Sequence, residues 1–218
     1  MMPDYATQRT NMVESQLSTN DVADPRIRSA MAAVAREQFV PDAKRAMAYC
    51  DLPIEVAPGR YLLDPRCFGK LLVLADVQPT DRVLDVGCAT GYSAAVLALL
   101  AKAVVAVEQD GDLVREASDR LAAVGAENAT VVRNVLVKGA KAQAPYDVIV
   151  VEGAIEETPQ TLLSQLNESG RLVAMVQQGA QGRAHLFVRE KGRIGSRPDF
   201  DASVPVLVGF RKSVGFVF

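Results

Sequence analysis

Apolar positions follow two regimes along the 218-residue chain. Before Arg82 they recur at helical spacing between turn residues. Asp24-Pro25 reads as a helix start, an N-cap acid followed by Pro in the first turn. Ile27, Met31 and Val34 follow at helical intervals, and Phe39-Val40-Pro41 closes the segment. An earlier helix is expected over residues 7–18. The stretch 52–59, LPIEVAPG, holds too many breakers for a helix and reads as an extended loop. A third helix is predicted over 65–75, with Phe68, Leu71, Leu72 and Ala75 facing inward.

From Arg82 onward short apolar runs alternate with helical stripes. Strands are predicted at 83–86, 104–108, 130–135, 148–151, 172–176 and 185–189, with a final β-rich stretch at 203–210. Helices are predicted from Ser93 to Ala101, through the stripe Val114, Ala117, Leu121 and Val124 ending at Gly125, and over 159–166. Such alternation implies an α/β fold, a mostly parallel, doubly wound, Rossmann-like sheet with helices on both faces. The last two predicted strands are joined by a charged, Gly-containing stretch, which implies a C-terminal antiparallel hairpin. No repeat or linker interrupts the pattern. The expectation is a single domain over 1–218, with a helical cap and acceptor loop at 1–65 and the cofactor-binding core at 66–218.

Composition narrows the function classes. Hydrophobic residues make up 49% of the chain, enough to fill one sizeable core. A net charge of −2 argues against a broad nucleic-acid or anionic-membrane surface. No apolar run is long enough to span a bilayer, and the start MMPDY lacks a basic or apolar leader pattern. Cys50, Cys67 and Cys88 are scattered and odd in number, which fits a reducing cytoplasm better than a disulfide framework or a zinc cluster; no metal site is expected.

The candidate chemistry sits at the first strand of the core. Val83-Leu84-Asp85-Val86-Gly87-Cys88-Ala89-Thr90-Gly91-Tyr92 is a strand, a Gly-containing turn and a helix start. The spacing is G-x-x-x-G, where nicotinamide dehydrogenases use G-x-G-x-x-G around a pyrophosphate. An acid, Asp85, precedes the first glycine. A second, Glu108, ends the next strand about 20 residues on, where a carboxylate holds a ribose diol. The loop resembles the S-adenosylmethionine loop of class I methyltransferases, and acids suit a cofactor carrying a sulfonium and an ammonium. The lone histidine, His185, falls in a late strand and reads as structural, and Cys88 reads as a small spacer.

Beyond this loop the chain resembles the protein-L-isoaspartate O-methyltransferase family over nearly its whole length. The resemblance is carried by NMVESQL at 11–17, Asp24-Pro25-Arg26, REQFVP at 36–41, Leu52-Pro53-Ile54, the Leu84–Tyr92 loop, Ala144-Pro145-Tyr146-Asp147, Gly170-Arg171-Leu172-Val173 and the closing VPVLVG at 204–209. It implies methyl transfer from S-adenosylmethionine, leaving S-adenosylhomocysteine, to the free carboxylate of an isoaspartyl residue in a damaged protein or peptide. The ester then cyclises to a succinimide that opens partly to normal aspartate. It also implies a donor site at Asp85, Gly87, Cys88, Ala89, Gly91, Glu108, Gln109, Asn134 and Val135, with an acceptor site at Tyr61, Leu63, Glu152 and the segment 204–208. Neither nucleic acid nor membrane is expected as a partner.

Three positions depart from the family pattern. The family's Gly-Gln-Thr-Ile-Ser-Gln-Pro type loop falls on Gly59-Arg60-Tyr61-Leu62-Leu63-Asp64-Pro65, so a leucine stands at the serine that faces the acceptor carboxylate. Arg60 or Arg66 offers a substitute clamp, though solvation at the surface is the plainer role for each. The Gly-Asp-Gly after strand three becomes Asn134-Val135-Leu136, with loss of a hydrogen bond to adenine that Asn134 recovers in part. The Thr-Ala-Ala type turn after strand four becomes Glu152-Gly153-Ala154, and a carboxylate there repels an anionic acceptor or caps the following turn. The alternatives left open are a methyltransferase of this fold with another acceptor, and a non-catalytic relative.

Overall fold

The computed structural model describes residues 4–179 and 181–212; the leader reading at Met1–Pro3 lies outside them. Helix α1 (Tyr5–Asn11) runs on into a π-helical turn, Met12–Leu17, and both named ends of that turn are fully buried. Helix α2 (Pro25–Ala33) begins at Asp24, whose carboxylate accepts from the Arg26 backbone N–H at 2.7 Å. Helix α3 (Pro65–Ala75) has the predicted limits and the predicted buried face. Asp64 caps it by accepting from the Cys67 N–H, so this acid does not face an acceptor.

The expected loop at 52–59 is instead part of a hairpin. Strands β1 (Ile54–Ala57) and β2 (Arg60–Leu62) pair antiparallel across Pro58-Gly59. The strands are too short to give an alternation that a sequence pattern would register.

Among the described residues the main sheet has seven strands: β3 (Arg82–Val86), β4 (Ala103–Glu108), β5 (Ala129–Arg133), β6 (Tyr146–Ile155), β7 (Leu166–Gln178), β8 (Gln181–Glu190) and β9 (Arg193–Asp201). Their order is β5-β4-β3-β6-β7-β8-β9. The first five run parallel, and β7-β8 and β8-β9 are antiparallel. The chain winds outward from β3 through β4 to β5, then returns to β6 on the other side of β3. That reversal puts a topological switch point at the C-terminal ends of β3 and β6, where open α/β sheets bind ligands.

Alternate strand residues feed two apolar clusters. Val83, Val104, Val148 and Val173 face a layer made by α1, α2, α3, α4 (Tyr92–Ala98) and α5 (Gly111–Ala123). Leu84, Val105, Ile149 and Leu172 face α6 (Gln160–Leu163), the turn Leu136–Lys138 and the C-terminal Leu207 and Phe210. Both faces are covered, unequally, and the central strands are apolar on both sides as parallel strands must be.

Four details differ from expectation. The inward stripe of α5 is Leu113, Ala117 and Leu121, and Val124 is exposed past the helix end. Helix α6 stops at Leu163 because Leu166 already opens β7. Helix α4 ends at Ala98, short of the expected Ala101. The hairpin partner of β8 is Arg193–Asp201, while Val206 in the 203–210 stretch makes only a single bridge, to Ala154.

Candidate active site

Three carboxylates stand at the C-terminal ends of three adjacent strands: Glu108 on β4, Asp85 on β3 and Glu152 on β6. Asp85 and Glu108 are completely buried and Glu152 nearly so. Strand β6 bulges between Val150 and Ala154, and Glu152 lies within that bulge; a bulge re-aims a side chain relative to the pleat. Asp85 accepts from Ser93 Oγ through Oδ2 at 2.7 Å, which leaves Oδ1 buried without a partner among the described residues. Glu152 Oε1 is likewise buried and has no partner among the described residues. Burial pushes Asp85 up to about 7, with the charge of Glu108 adding to the shift and the Ser93 bond and Arg60 opposing it. Burial, reinforced by Asp85, also raises Glu152 well above the carboxylate range, against the pull of Arg36 and Arg60.

The turn from β3 into α4 has the geometry its glycines require. Gly87 and Gly91 have φ of 90° and 94°, and Ala89 between them has 48°. A Cβ on Gly91 would lie 3.2 Å from Ala117 Cβ and 3.3 Å from its Cα, so glycine lets α5 pack against the turn. Thr90 Oγ1 donates to Phe39 O at 2.6 Å, which ties the turn to the N-terminal layer. Cys88 is buried, and burial holds its thiol well above its usual range; it is inert packing.

Glu108 has a full set of partners. Oε1 accepts from the backbone N–H of Gln109 at 2.8 Å and of Asp110 at 3.2 Å. Oε2 accepts from the Ala89 N–H at 3.1 Å and from Arg60 through Nε at 3.2 Å and through Nη2. Arg60 is 4% exposed, so solvation at the surface is not its role. It reaches inward from β2, and its Nη2 lies 3.2 Å from the place of a Cβ on Gly87. Leu207 Cδ1 and Cδ2 lie 3.1 Å from the same place. The segment carrying Leu207 is fixed along the end of β6, where Leu207 N–H donates to Ala154 O at 2.8 Å and Ala154 N–H to Pro205 O at 2.9 Å.

On the outer side of these two residues runs a groove of about 860 Å³, lined among others by Gly59, Tyr61, Val204, Val206 and Val208. Arg60 and Leu207 lie in sequence between groove-lining neighbours but point the other way, onto Gly87. They are the partition between groove and acid cluster. Tyr61 and the 204–208 segment therefore come together as the resemblance implies. Leu63 does not join them: it is buried in the N-terminal core, and its carbonyl oxygen accepts from Arg36 Nη2 at 2.6 Å.

Past β5, Asn134 is committed locally. Its Nδ2 donates to Gly139 O at 2.8 Å and its Oδ1 accepts from the Val135 N–H at 2.9 Å, so its side chain braces the turn and is not free to recover a bond to a base. Val135 is 46% exposed beside it, and Gln109 lies half-buried next to Glu108. His185 meets Ser196 Oγ at 3.1 Å, stacks on Phe187 and pairs with Ala174 on β7, which separates it from β6 and Glu152. Among the described residues no group of three His, Cys, Asp or Glu side chains is arranged to hold a metal ion, and no helix is long and apolar enough to cross a membrane.

Sequence reasoning passed over Arg36 as a functional element. It is completely buried, donates from Nε to Ala48 O at 2.7 Å, and lies 4.7 Å from the Tyr92 ring centre. Its only signal was its place at the head of the REQFVP motif.

Residues 7–204 match the family model described as protein-L-isoaspartate(D-aspartate) O-methyltransferase. A protein-L-isoaspartate O-methyltransferase of Methanoregula boonei is 39% identical over 190 residues, 87% of this chain and 86% of its own length. One from Koribacter versatilis is 33% identical over 205 residues, covering 94% and 92%. In fold, the chain matches a solved protein-L-isoaspartate O-methyltransferase with a TM-score of 0.80 at 24% identity, over 92% of this chain and 66% of that one, just under two thirds. A Plasmodium falciparum structure described as such an enzyme in complex with S-adenosyl-L-homocysteine matches with a TM-score of 0.78 at 19% identity, over 91% and 97%. The doubly wound sheet, the Asp85–Gly91 turn and the match over residues 7–204 agree: the chain belongs to the protein-L-isoaspartate(D-aspartate) O-methyltransferase family.

Proposed function

We propose that this protein uses S-adenosylmethionine to methylate the free carboxylate of isoaspartyl residues in damaged proteins. The observation that carries the reading is the cluster of strand-end acids around the Gly87–Gly91 turn. Three carboxylates, Asp85, Glu108 and Glu152, meet two guanidiniums, Arg36 and Arg60. The cluster thus has one more acid than base, and it has two unpartnered carboxylate oxygens. A nucleoside with a sulfonium and an ammonium would supply donors to those oxygens and favour the ionised form of Asp85. The residues fit such a group on one condition, that Arg60 yields its place on Glu108.

With the donor bound, Glu108 would hold the ribose diol and Asp85 the ammonium, while the glycines let the backbone approach. The donor supplies a methyl carbon on a cationic sulfur. The acceptor carboxylate is already an anion at neutral pH, so no general base is required. An oxygen lone pair forms the new O–C bond, and the C–S electrons return to sulfur. The work left to this chain is alignment and the exclusion of water. The groove edged by Tyr61 and Val204–Val208 is placed to lay a peptide chain over the partition, and Leu207 keeps that partition dry.

The test is methyl transfer to an isoaspartyl peptide beside its aspartyl twin. Selective labelling of the isoaspartyl form is expected. Cofactor binding without selective labelling would move the acceptor to another chemical class, the outcome that Glu152 favours.

The raised Asp85 adds a pH dependence. A neutral carboxyl must lose its proton before it holds an ammonium. Donor affinity should therefore rise with pH from about 6 to about 8, by up to about tenfold per unit below the Asp85 pKa and then level off. Calorimetry in buffers of different ionisation heat should register proton release on the acid side. A flat profile would remove Asp85 from the ammonium's contacts.

A further inference from the structure

The Arg60–Glu108 pair poses a problem that the reading above does not solve. A residue of the acceptor hairpin occupies the diol's carboxylate, and a buried acid, Glu152, stands unpartnered beside it. Both positions depart from the family pattern, as does Leu63.

We propose that Arg60 is a two-position side chain: on Glu108 it fills the donor's seat, and once it leaves Glu108 it pairs with Glu152 and turns an N–H edge toward the acceptor carboxylate. Arg60 would then be the residue that recognises the acceptor anion where the family serine is missing. This inference rests on the proposed function, since it concerns the same site.

Four observations carry it. First, Glu108 keeps three backbone donors, from Ala89, Gln109 and Asp110, when Arg60 withdraws, so the carboxylate stays aimed for a diol. Second, Glu152 Oε1 is buried without a partner, which is costly unless a donor reaches it in some state of the protein. The charges of Arg36 and then Arg60 already act on Glu152 across the cluster, and Arg36 is committed to Ala48 O and Leu63 O. Third, Arg60 lies in the partition between groove and acids, flanked by groove-lining Gly59 and Tyr61. Moving its head from the inner carboxylate toward Glu152 therefore shifts the charge along that boundary. Fourth, Leu63 is buried in the core and serves no acceptor, so the serine's function must come from elsewhere or be lost.

The arrangement also resolves the charge conflict at Glu152. Unpaired, that acid is kept neutral by burial; paired with Arg60 it ionises and becomes the support for a guanidinium that attracts an incoming carboxylate. A guanidinium has five N–H donors, enough to hold Glu152 and an acceptor carboxylate at once. Donor and acceptor binding are then linked, because Glu108 must be released by Arg60 before the acceptor contact exists.

The experiment measures two affinities in Arg60→Gln, which restores the family residue, and in Arg60→Lys. S-adenosylhomocysteine is titrated by calorimetry, and the KM for an isoaspartyl peptide is measured at saturating donor. In Arg60→Gln the donor product should bind about tenfold tighter or more, because its internal competitor is gone. The peptide KM should rise about tenfold or more, with kcat changing far less. Arg60→Lys, which keeps the charge and loses the fork, should fall between the two in both measurements. Adding Glu152→Gln to Arg60→Gln should leave the peptide KM where Arg60→Gln puts it, because burial already keeps the unpaired acid neutral and Glu152 acts only through Arg60. Opposite movement of the two affinities is the signature, since misfolding weakens both. Equal S-adenosylhomocysteine affinity in wild type and Arg60→Gln, with selective methyl transfer intact, overturns this inference and leaves the proposed function standing. Affinities that fall together also overturn it. No binding and no transfer in wild type and variants overturns both.

Discussion

Replacing Arg36 with Met should lower the unfolding free energy by about 3–5 kcal/mol, the scale for removing a buried, hydrogen-bonded cation. Arg36 is wholly buried and joins three parts of the chain. Its guanidinium donates to Ala48 O at 2.7 Å and to Leu63 O at 2.6 Å, and it packs over the Tyr92 ring at the start of α4. Methionine fills much of the volume but leaves two buried carbonyls without donors. It also removes one of the two positive charges facing Glu152, so that acid becomes harder to ionise. Chemical denaturation of wild type and Arg36→Met at neutral pH measures the loss. A difference below about 1 kcal/mol would mean that water or a local shift satisfies both carbonyls. Arg36→Lys should recover little, because one ammonium cannot span two carbonyls in the fork geometry of a guanidinium.

The Arg36 case illustrates what the sequence could and could not reveal. The parallel core was legible because its strands are buried on both faces and appear as unbroken apolar runs between helical stripes. Asp85 and Glu108 were legible for a related reason, as the acids that end two of those runs. The β1–β2 hairpin was not legible, since strands of four and three residues around Pro58-Gly59 produce no periodicity. Strand β9 was missed because it is exposed almost throughout, so only backbone pairing to β8 defines it. Its apolar neighbour at 203–210 attracted the strand assignment, yet that segment uses its apolar side chains to seal the end of β6.

Among the charged residues of the site, Arg60 and Glu152 were the least legible. A lone arginine beside Gly59 reads as solvated, because its partner Glu108 lies 48 residues away and nothing local marks the pair. Glu152 reads equally as an acceptor-site acid or, because Glu156 and Glu157 follow it, as a capping acid; the β6 bulge buries it. Leu63 was assigned to the acceptor by alignment with a motif; the structure sends its side chain into the core instead. In each case motif spacing located the residue, and long-range packing decided where its side chain points.

Changing Glu108 to Gln should weaken donor binding about 100-fold while costing the folded state about 3 kcal/mol. The two effects have different origins and can be separated. In the free protein the carboxylate neutralises Arg60 inside a dry cluster, and an amide leaves that guanidinium buried with a poor acceptor. In the donor complex a carboxylate accepts from both hydroxyls of a diol, whereas an amide accepts from one and presents a donor to the other. The backbone donors on Ala89, Gln109 and Asp110 add to the loss, because an amide nitrogen turned toward any of them meets another N–H. Pairing Glu108→Gln with Arg60→Gln should restore most of the stability, since the orphaned cation is gone, and should leave donor affinity low, since the diol's carboxylate is still missing. Denaturant unfolding and S-adenosylhomocysteine titration on the two variants test this separation. Recovery of donor affinity in the double variant would place the diol elsewhere and leave Glu108 as a structural partner of Arg60 alone.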